Sequence, residues 1–204
     1  MKKTLIIVAI FLLGNFCLGY DLTNLGDFSS RSVLINELGL GEKKDKLSAE
    51  QKEILKEKKL SPTTNCLVQQ IQKGNLENVK LLLDSKVDPN KSFYTDYPVL
   101  IATKANKPEI VYLLIDYGAK LDRGFYSELF EAIKNKNKQM AAYLIDKGAR
   151  LDYQDSLTGR SSLYFALKYK MYDIAQTMIN KGAPADKYSV MYIKKHKLDY
   201  MIPD

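Results

Sequence analysis

The sequence predicts an all-α solenoid: about four stacked helix-turn-helix units and a partial C-terminal capping unit. Three observations predict it. The phrase Ile-(Asp/Asn)-x-Gly-Ala occurs at Ile115-Asp116-Tyr117-Gly118-Ala119, Ile145-Asp146-Lys147-Gly148-Ala149 and Ile179-Asn180-Lys181-Gly182-Ala183, with the glycines 30 and then 34 residues apart. An apolar stretch with helical periodicity precedes each copy; in Glu109-Ile110-Val111-Tyr112-Leu113-Leu114-Ile115 the period gathers Ile110, Val111, Leu113 and Leu114 onto one inward stripe. Ahead of each such helix lies a shorter one with a small residue, Ala102, Ala132 or Ala166, at a fixed place where neighbouring helices can approach closely.

The helix boundaries follow from local chemistry. Pro98 suits a first helical turn, because its missing N–H would have no intrahelical partner there. Gly118, Gly148 and Gly182 follow the last turn of the second helix, where a left-handed backbone costs a residue without a side chain least. The units divide as 63–90, 91–122, 123–152 and 153–186, with a partial unit at 187–202, and together form a repeat domain over 63–204. The first unit is degenerate: Leu76-Glu77-Asn78-Val79-Lys80-Leu81-Leu82-Leu83 is its second helix, and Lys86-Val87 replaces Gly-Ala. The third unit has a shorter turn than the fourth, which predicts a stunted finger. In the last unit Val190, Met191, Ile193, Leu198, Met201 and Ile202 lie among lysines, a pattern for a half-covered cap.

These motifs resemble the ankyrin repeat family, whose unit is a β-turn and two antiparallel helices with a Thr-Pro-Leu-His-x-Ala signature. Tyr97-Pro98-Val99-Leu100-Ile101-Ala102 keeps the proline and alanine, and Ser161-Ser162-Leu163-Tyr164-Phe165-Ala166 keeps the leucine and alanine. Leu100, Phe130 and Tyr164 stand where the family has histidine, which removes that residue's hydrogen bonds between turns and implies less regular turns. The resemblance implies a non-enzymatic scaffold that binds a protein partner through turn tips and the outward ends of first helices, which form a concave groove. It places Phe93, Tyr94, Asp96, Tyr126 and Arg160 at the tips, and Lys104, Lys134 and Lys168, with Tyr169 beside them, in the groove. Rings beside cations suit recognition, since aromatic residues and arginine dominate binding hot spots and lysines steer encounter. A lysine row is also cheap: charges about 10 Å apart repel by only about 0.4 kcal/mol in water. An unselected, solvated face therefore stands beside the functional reading.

Composition fits a folded chain, with 46% hydrophobic and 27% charged residues in 204. The net charge of +7 and a pI near 9.1 favour anionic partners, and make attachment to an anionic envelope polymer or lipid the alternative function. The single histidine, His196, sits among lysines with no nucleophile arranged around it, and one histidine with Cys66 falls short of a zinc ligand set. No Gly-x-Gly-x-x-Gly or Gly-Lys-Ser/Thr phosphate loop occurs. No catalytic site, metal or cofactor is therefore expected, although a carboxylate pair brought together by folding would leave no mark in the sequence.

The first nineteen residues read as an export signal. Lys2-Lys3 precedes the apolar stretch 5–13, and Cys17-Leu18-Gly19 offers a cleavage site. That stretch is shorter than the roughly twenty residues that span a bilayer, so no transmembrane segment is expected in the mature chain. The expectation is a bacterial exported protein, foremost periplasmic; secretion and lipidation at Cys17 are alternatives, and Phe16 fits the lipoprotein pattern poorly. An exported protein seldom meets nucleic acid, which is not expected as a partner. Residues 20–62 form an N-terminal extension in which Ser48-Ala49-Glu50-Gln51 resembles a capping box opening a charged helix. A cover for the first unit and a spacer from the envelope are its two readings. Cys66, beside Leu67 and Val68, is expected to be buried as a small hydrophobe.

Overall fold

The computed structural model describes residues 47–201. The export signal, Cys17, Ile202 and the extension as far as residue 46 lie outside them. Every element below belongs to the unit that begins at Ala49.

The helices are α1 Ala49–Glu57, α2 Thr64–Lys73, α3 Leu76–Asp84, α4 Pro98–Lys104, α5 Pro108–Asp116, α6 Glu128–Lys134, α7 Lys138–Asp146, α8 Ser162–Lys168, α9 Tyr172–Asn180 and α10 Lys187–His196, followed by a 3-10 turn at Asp199–Met201. Their starts are fixed by side chains that accept otherwise unpaired backbone N–H groups, each worth about 1 kcal/mol. Thr63 caps α2, Asn75 α3, Ser127 α6, Asn137 α7, Ser161 α8 and Asp186 α10. No side chain caps α4, α5 or α9; at α4 and α5, Pro98 and Pro108 occupy the first turn.

The second helices α5, α7 and α9 end at Gly118, Gly148 and Gly182, each with φ +83°. In the degenerate first unit Lys86 takes the same backbone place with φ +63°, and Val87 is buried where the other units put alanine.

First helices pack in sequence, α2 on α4, α4 on α6, α6 on α8 and α8 on α10, and form one layer. Second helices form the other: α3 contacts α5, α7 contacts α9, and Tyr112 of α5 meets Tyr143 of α7 with ring centroids 4.3 Å apart. Leu67, Leu82, Leu100, Leu114, Leu129, Leu144, Leu163 and Met178 fill the space between, all fully buried. Burying such a side chain stabilises by about 1.5–3 kcal/mol. Ala102, Ala132 and Ala166 are also fully buried and permit the close approach within the first layer.

Two expectations need correction, and the half-covered cap takes a definite form. Leu113 is half-buried, because Ile110 and Leu114 set the inward line of α5 and Leu113 sits about 100° to its side. Cys66, in the first turn of α2, is a free cysteine and only half-buried, since Leu67, Val68 and Ile71 take the inward positions. Met191 of α10 points outward, while Ile193, Leu198 and Met201 are covered.

Candidate interaction face

The loops that join one unit to the next carry the tips. In the second unit the Phe93 N–H donates to the Asp96 carbonyl at 2.8 Å, the Asp96 N–H donates back at 3.2 Å, and Tyr94, with φ +53°, makes the turn. The Tyr94 ring is 88% exposed and meets Phe93 edge-on at 4.7 Å. In the fourth unit Gln154 pairs with Ser161 to close a longer loop, whereas residues 119–127 turn by bends, with no bridge among the described residues.

Of the residues picked from sequence, Asp96, Lys104 and Tyr126 come together. The Asp96 carboxylate accepts from the Lys104 ammonium at 2.7 Å, and that ammonium lies 4.4 Å from the centre of the Tyr126 ring. Phe93, Tyr94, Asp96, Gln72, Ile101 and Lys104 border an open cleft of about 470 Å³.

A second group forms around α6, α8 and α10. Lys134 donates to Glu131 at 3.3 Å and lies over Phe130. Phe130 meets Phe165 edge-on at 5.2 Å, and Phe165 touches Tyr164 and Tyr169 at 5.4 and 6.0 Å. Lys168 covers Phe165 at 5.8 Å, and Lys136, from the turn between α6 and α7, covers Tyr169 at 5.3 Å. The Arg160 guanidinium lies over both Tyr164 and Tyr188, 5.1 Å from each ring centre. Tyr164 thus occupies the histidine position of the family signature and supports a cation.

Lys104, Lys134 and Lys168 are each the last residue of their helix, and so is Lys73 of α2, which sequence reading passed over. A cation there complements the helix dipole by about 0.3–1 kcal/mol, so the row has a structural reason. Sequence reading also missed Phe125 and Leu157, which are 84% and 93% exposed in the loops of the third and fourth units. Their signal was available: each is a large apolar residue in a segment with no helical stripe to absorb it.

A buried polar cluster braces the third loop. The Glu128 side chain, in the first turn of α6, is 1% exposed and accepts from the Asp122 N–H at 3.0 Å. The Asp122 carboxylate accepts from the Arg150 N–H at 2.7 Å and pairs with its guanidinium at 3.5 Å. Burial, together with the Asp122 charge, pushes the Glu128 carboxyl up to about 7, against the lowering by backbone N–H donors. Among the described residues no group of three or more His, Cys, Asp or Glu could hold a metal ion, and no helix is long and apolar enough to cross a membrane.

Comparison with known proteins agrees with the architecture. Residues 67–155 match the ankyrin repeats family, in three copies. Two ankyrin repeat proteins of fowlpox virus (strain NVSL) are similar: FPV240 is 28% identical over 116 residues, covering 55% of this chain and 28% of the relative. FPV034 is 25% identical over 118 residues, covering 56% and 28%. The chain therefore spans less than a third of the length of these relatives. The crystal structure of the human ASB11 ankyrin repeat domain superposes with a TM-score of 0.51 at 22% identity, covering 59% of this chain and 56% of that one, a likeness of fold. The matched segment, residues 67–155, is ankyrin-repeat sequence, and the described residues form an all-α ankyrin-repeat solenoid. Repeats of this family are protein-interaction modules and not catalytic domains.

Proposed function

We propose that this protein is an exported, non-enzymatic scaffold that holds a protein partner against its loop tips and first-helix face. The observation that carries this reading is the set of apolar tips, Tyr94, Phe125 and Leu157, which are between 84% and 93% exposed in three consecutive units. Large apolar side chains held in water at the ends of folded loops gain free energy when a partner covers them. The basic leader Lys2-Lys3 and the apolar stretch 5–13 support export, foremost to a bacterial periplasm.

The net charge of +7 supports a second reading, attachment to an anionic envelope polymer or lipid. Cross-linking in intact cells, affinity capture of a tagged full-length chain and washing at low and high salt separate the two. The scaffold reading expects a defined protein that survives high salt and is lost from a Tyr94→Ser, Phe125→Ser, Leu157→Ser variant of unchanged helicity. Recovery of salt-labile envelope material alone, insensitive to the tips, would favour surface attachment, because screening weakens exposed charge pairs but not apolar contact. The mass of the mature N-terminus tests export directly.

A further inference from the structure

We infer that the partner is engaged, at the α8–α10 end of the first-helix layer, through an extended acidic segment with interspersed apolar side chains. The inference rests on the scaffold reading and specifies its ligand. Among the described residues Asp96 and Glu131 neutralise Lys104 and Lys134. Lys136, Arg160 and Lys168 differ: no carboxylate oxygen of a described residue lies within 4.0 Å of their charged atoms. Lys73, at the other end of the row, and Arg123, over Tyr97, also lack such a partner; what sets the α8–α10 end apart is that its three cations lie over one run of rings, Tyr164, Phe165, Tyr169 and Tyr188.

Arg160 is the anchor. Its Nε is buried and has no hydrogen-bond acceptor, and its guanidinium lies over two adjoining rings, Tyr164 and Tyr188, whose centres are 6.1 Å apart. A fixed fork of donors is matched by a carboxylate, which can accept two parallel hydrogen bonds. Lys136 and Lys168 lie over Tyr169 and Phe165, so further carboxylates along the same strand would meet an ammonium beside apolar ring surface. Successive side chains of an extended segment point to opposite faces, so paired residues, Glu-Glu-Leu-Leu repeated, bring acid and aliphatic alternately to one face and satisfy both features, whereas a polyanion without apolar groups would leave the rings uncovered.

The same geometry disfavours single-stranded nucleic acid, which binds by stacking bases on open ring faces. Here cations occupy faces of Phe165, Tyr169, Tyr164 and Tyr188, and Phe130 is buried.

Fluorescence anisotropy of the purified full chain with a short labelled peptide of repeated Glu-Glu-Leu-Leu tests the inference, with a Gln-Gln-Leu-Leu peptide as the uncharged control. The Glu peptide is expected to bind at least about tenfold more tightly than the control, and Arg160→Gln to remove about tenfold. Arg160→Lys should recover only part of this, since an ammonium lacks the fork. Should Arg160→Gln disturb folding by circular dichroism, the Lys136→Gln, Lys168→Gln pair decides, and it too should weaken binding about tenfold. An equal loss from Lys147→Gln with Lys181→Gln, at the ends of α7 and α9, would reduce the effect to diffuse charge and overturn the inference. So would absence of binding, or equal binding of an oligothymidylate or of phosphatidylglycerol vesicles with the same dependence on Arg160. If the peptide fails while tip-dependent protein capture persists, the acidic segment is wrong and the scaffold reading stands.

Discussion

Glu128 receives the backbone N–H of Asp122 at 3.0 Å inside the protein, so two carboxylates share one buried corner with Arg150. The folded chain holds the Glu128 proton up to about pH 7, against an ordinary value of 4.5. A raised carboxyl pKa means the folded state binds more protons, so this contribution is full below about 4.5 and lost as pH rises through about 7. Over that window the loss is expected to be on the order of 3 kcal/mol. Glu128→Gln keeps an acceptor for Asp122 and removes the titration; its urea midpoint should stay flat with pH while that of the wild type falls. An identical slope in both would place the titrating group elsewhere.

Lys86 and Gly148 give opposite predictions at equivalent backbone places. With φ +63°, Lys86 holds a conformation that costs a side chain about 1 kcal/mol, so Lys86→Gly should raise the urea midpoint despite the added freedom of the unfolded chain. No heavy atom outside its chain neighbours lies within 4 Å of a Cβ built on Gly148, so there the cost of a side chain is conformational alone. Gly148→Val should destabilise by at least about 1 kcal/mol, because β-branching resists the left-handed region. Equal midpoints for wild type and both variants would refute the assignment.

Asn90 ties two units together. Its Nδ2 donates to the Gly118 carbonyl at 2.8 Å and its Oδ1 accepts from the Lys120 N–H at 2.8 Å. Asn90→Leu removes both bonds and should cost about 1–3 kcal/mol. Chemical denaturation measures this; a cost below a few tenths would mean that water replaces both bonds.

Asp186 caps α10 and joins it to the preceding unit. Burial raises its carboxyl pKa, but hydrogen bonds from Ser161, Ser189 and the backbone N–H groups of Tyr188 and Ser189 outweigh it and hold the value below the ordinary 3.8. A depressed carboxylate contributes stability above its ordinary value and loses it as pH falls through the depressed one. Asp186→Ala should cost about 1–2 kcal/mol. Hydrogen exchange should show α10 losing protection while α4 and α5 keep theirs; a uniform loss would mean that the units do not open separately.

The helices were legible because their signals are local: the Ile-(Asp/Asn)-x-Gly-Ala phrase, the alanines at 102, 132 and 166, and Pro98 each act within a turn or two. Lys86 was legible by register alone, since it stands where its neighbours have glycine. Glu128 was not, because an acid in a first helical turn reads as a solvated partner of the helix dipole, and its burial depends on how Asp122 and Arg150 fold over it. The Arg160 clamp was half legible. Sequence placed Arg160 at a tip and left Tyr188 in the partial unit, and only the stacking of α8 on α10 brings the two rings under one guanidinium.

That clamp crosses a seam. Arg160 and Tyr164 belong to one unit and Tyr188 to the next, so the cation is gripped only while α10 stays seated. In a stack where each unit touches only its neighbours, terminal units open at least cost. The site is then a latch as well as a receptor: an occupant fastens the seam, and a loosened seam lets the occupant go. By linkage, affinity and fraying become two readings of a single equilibrium.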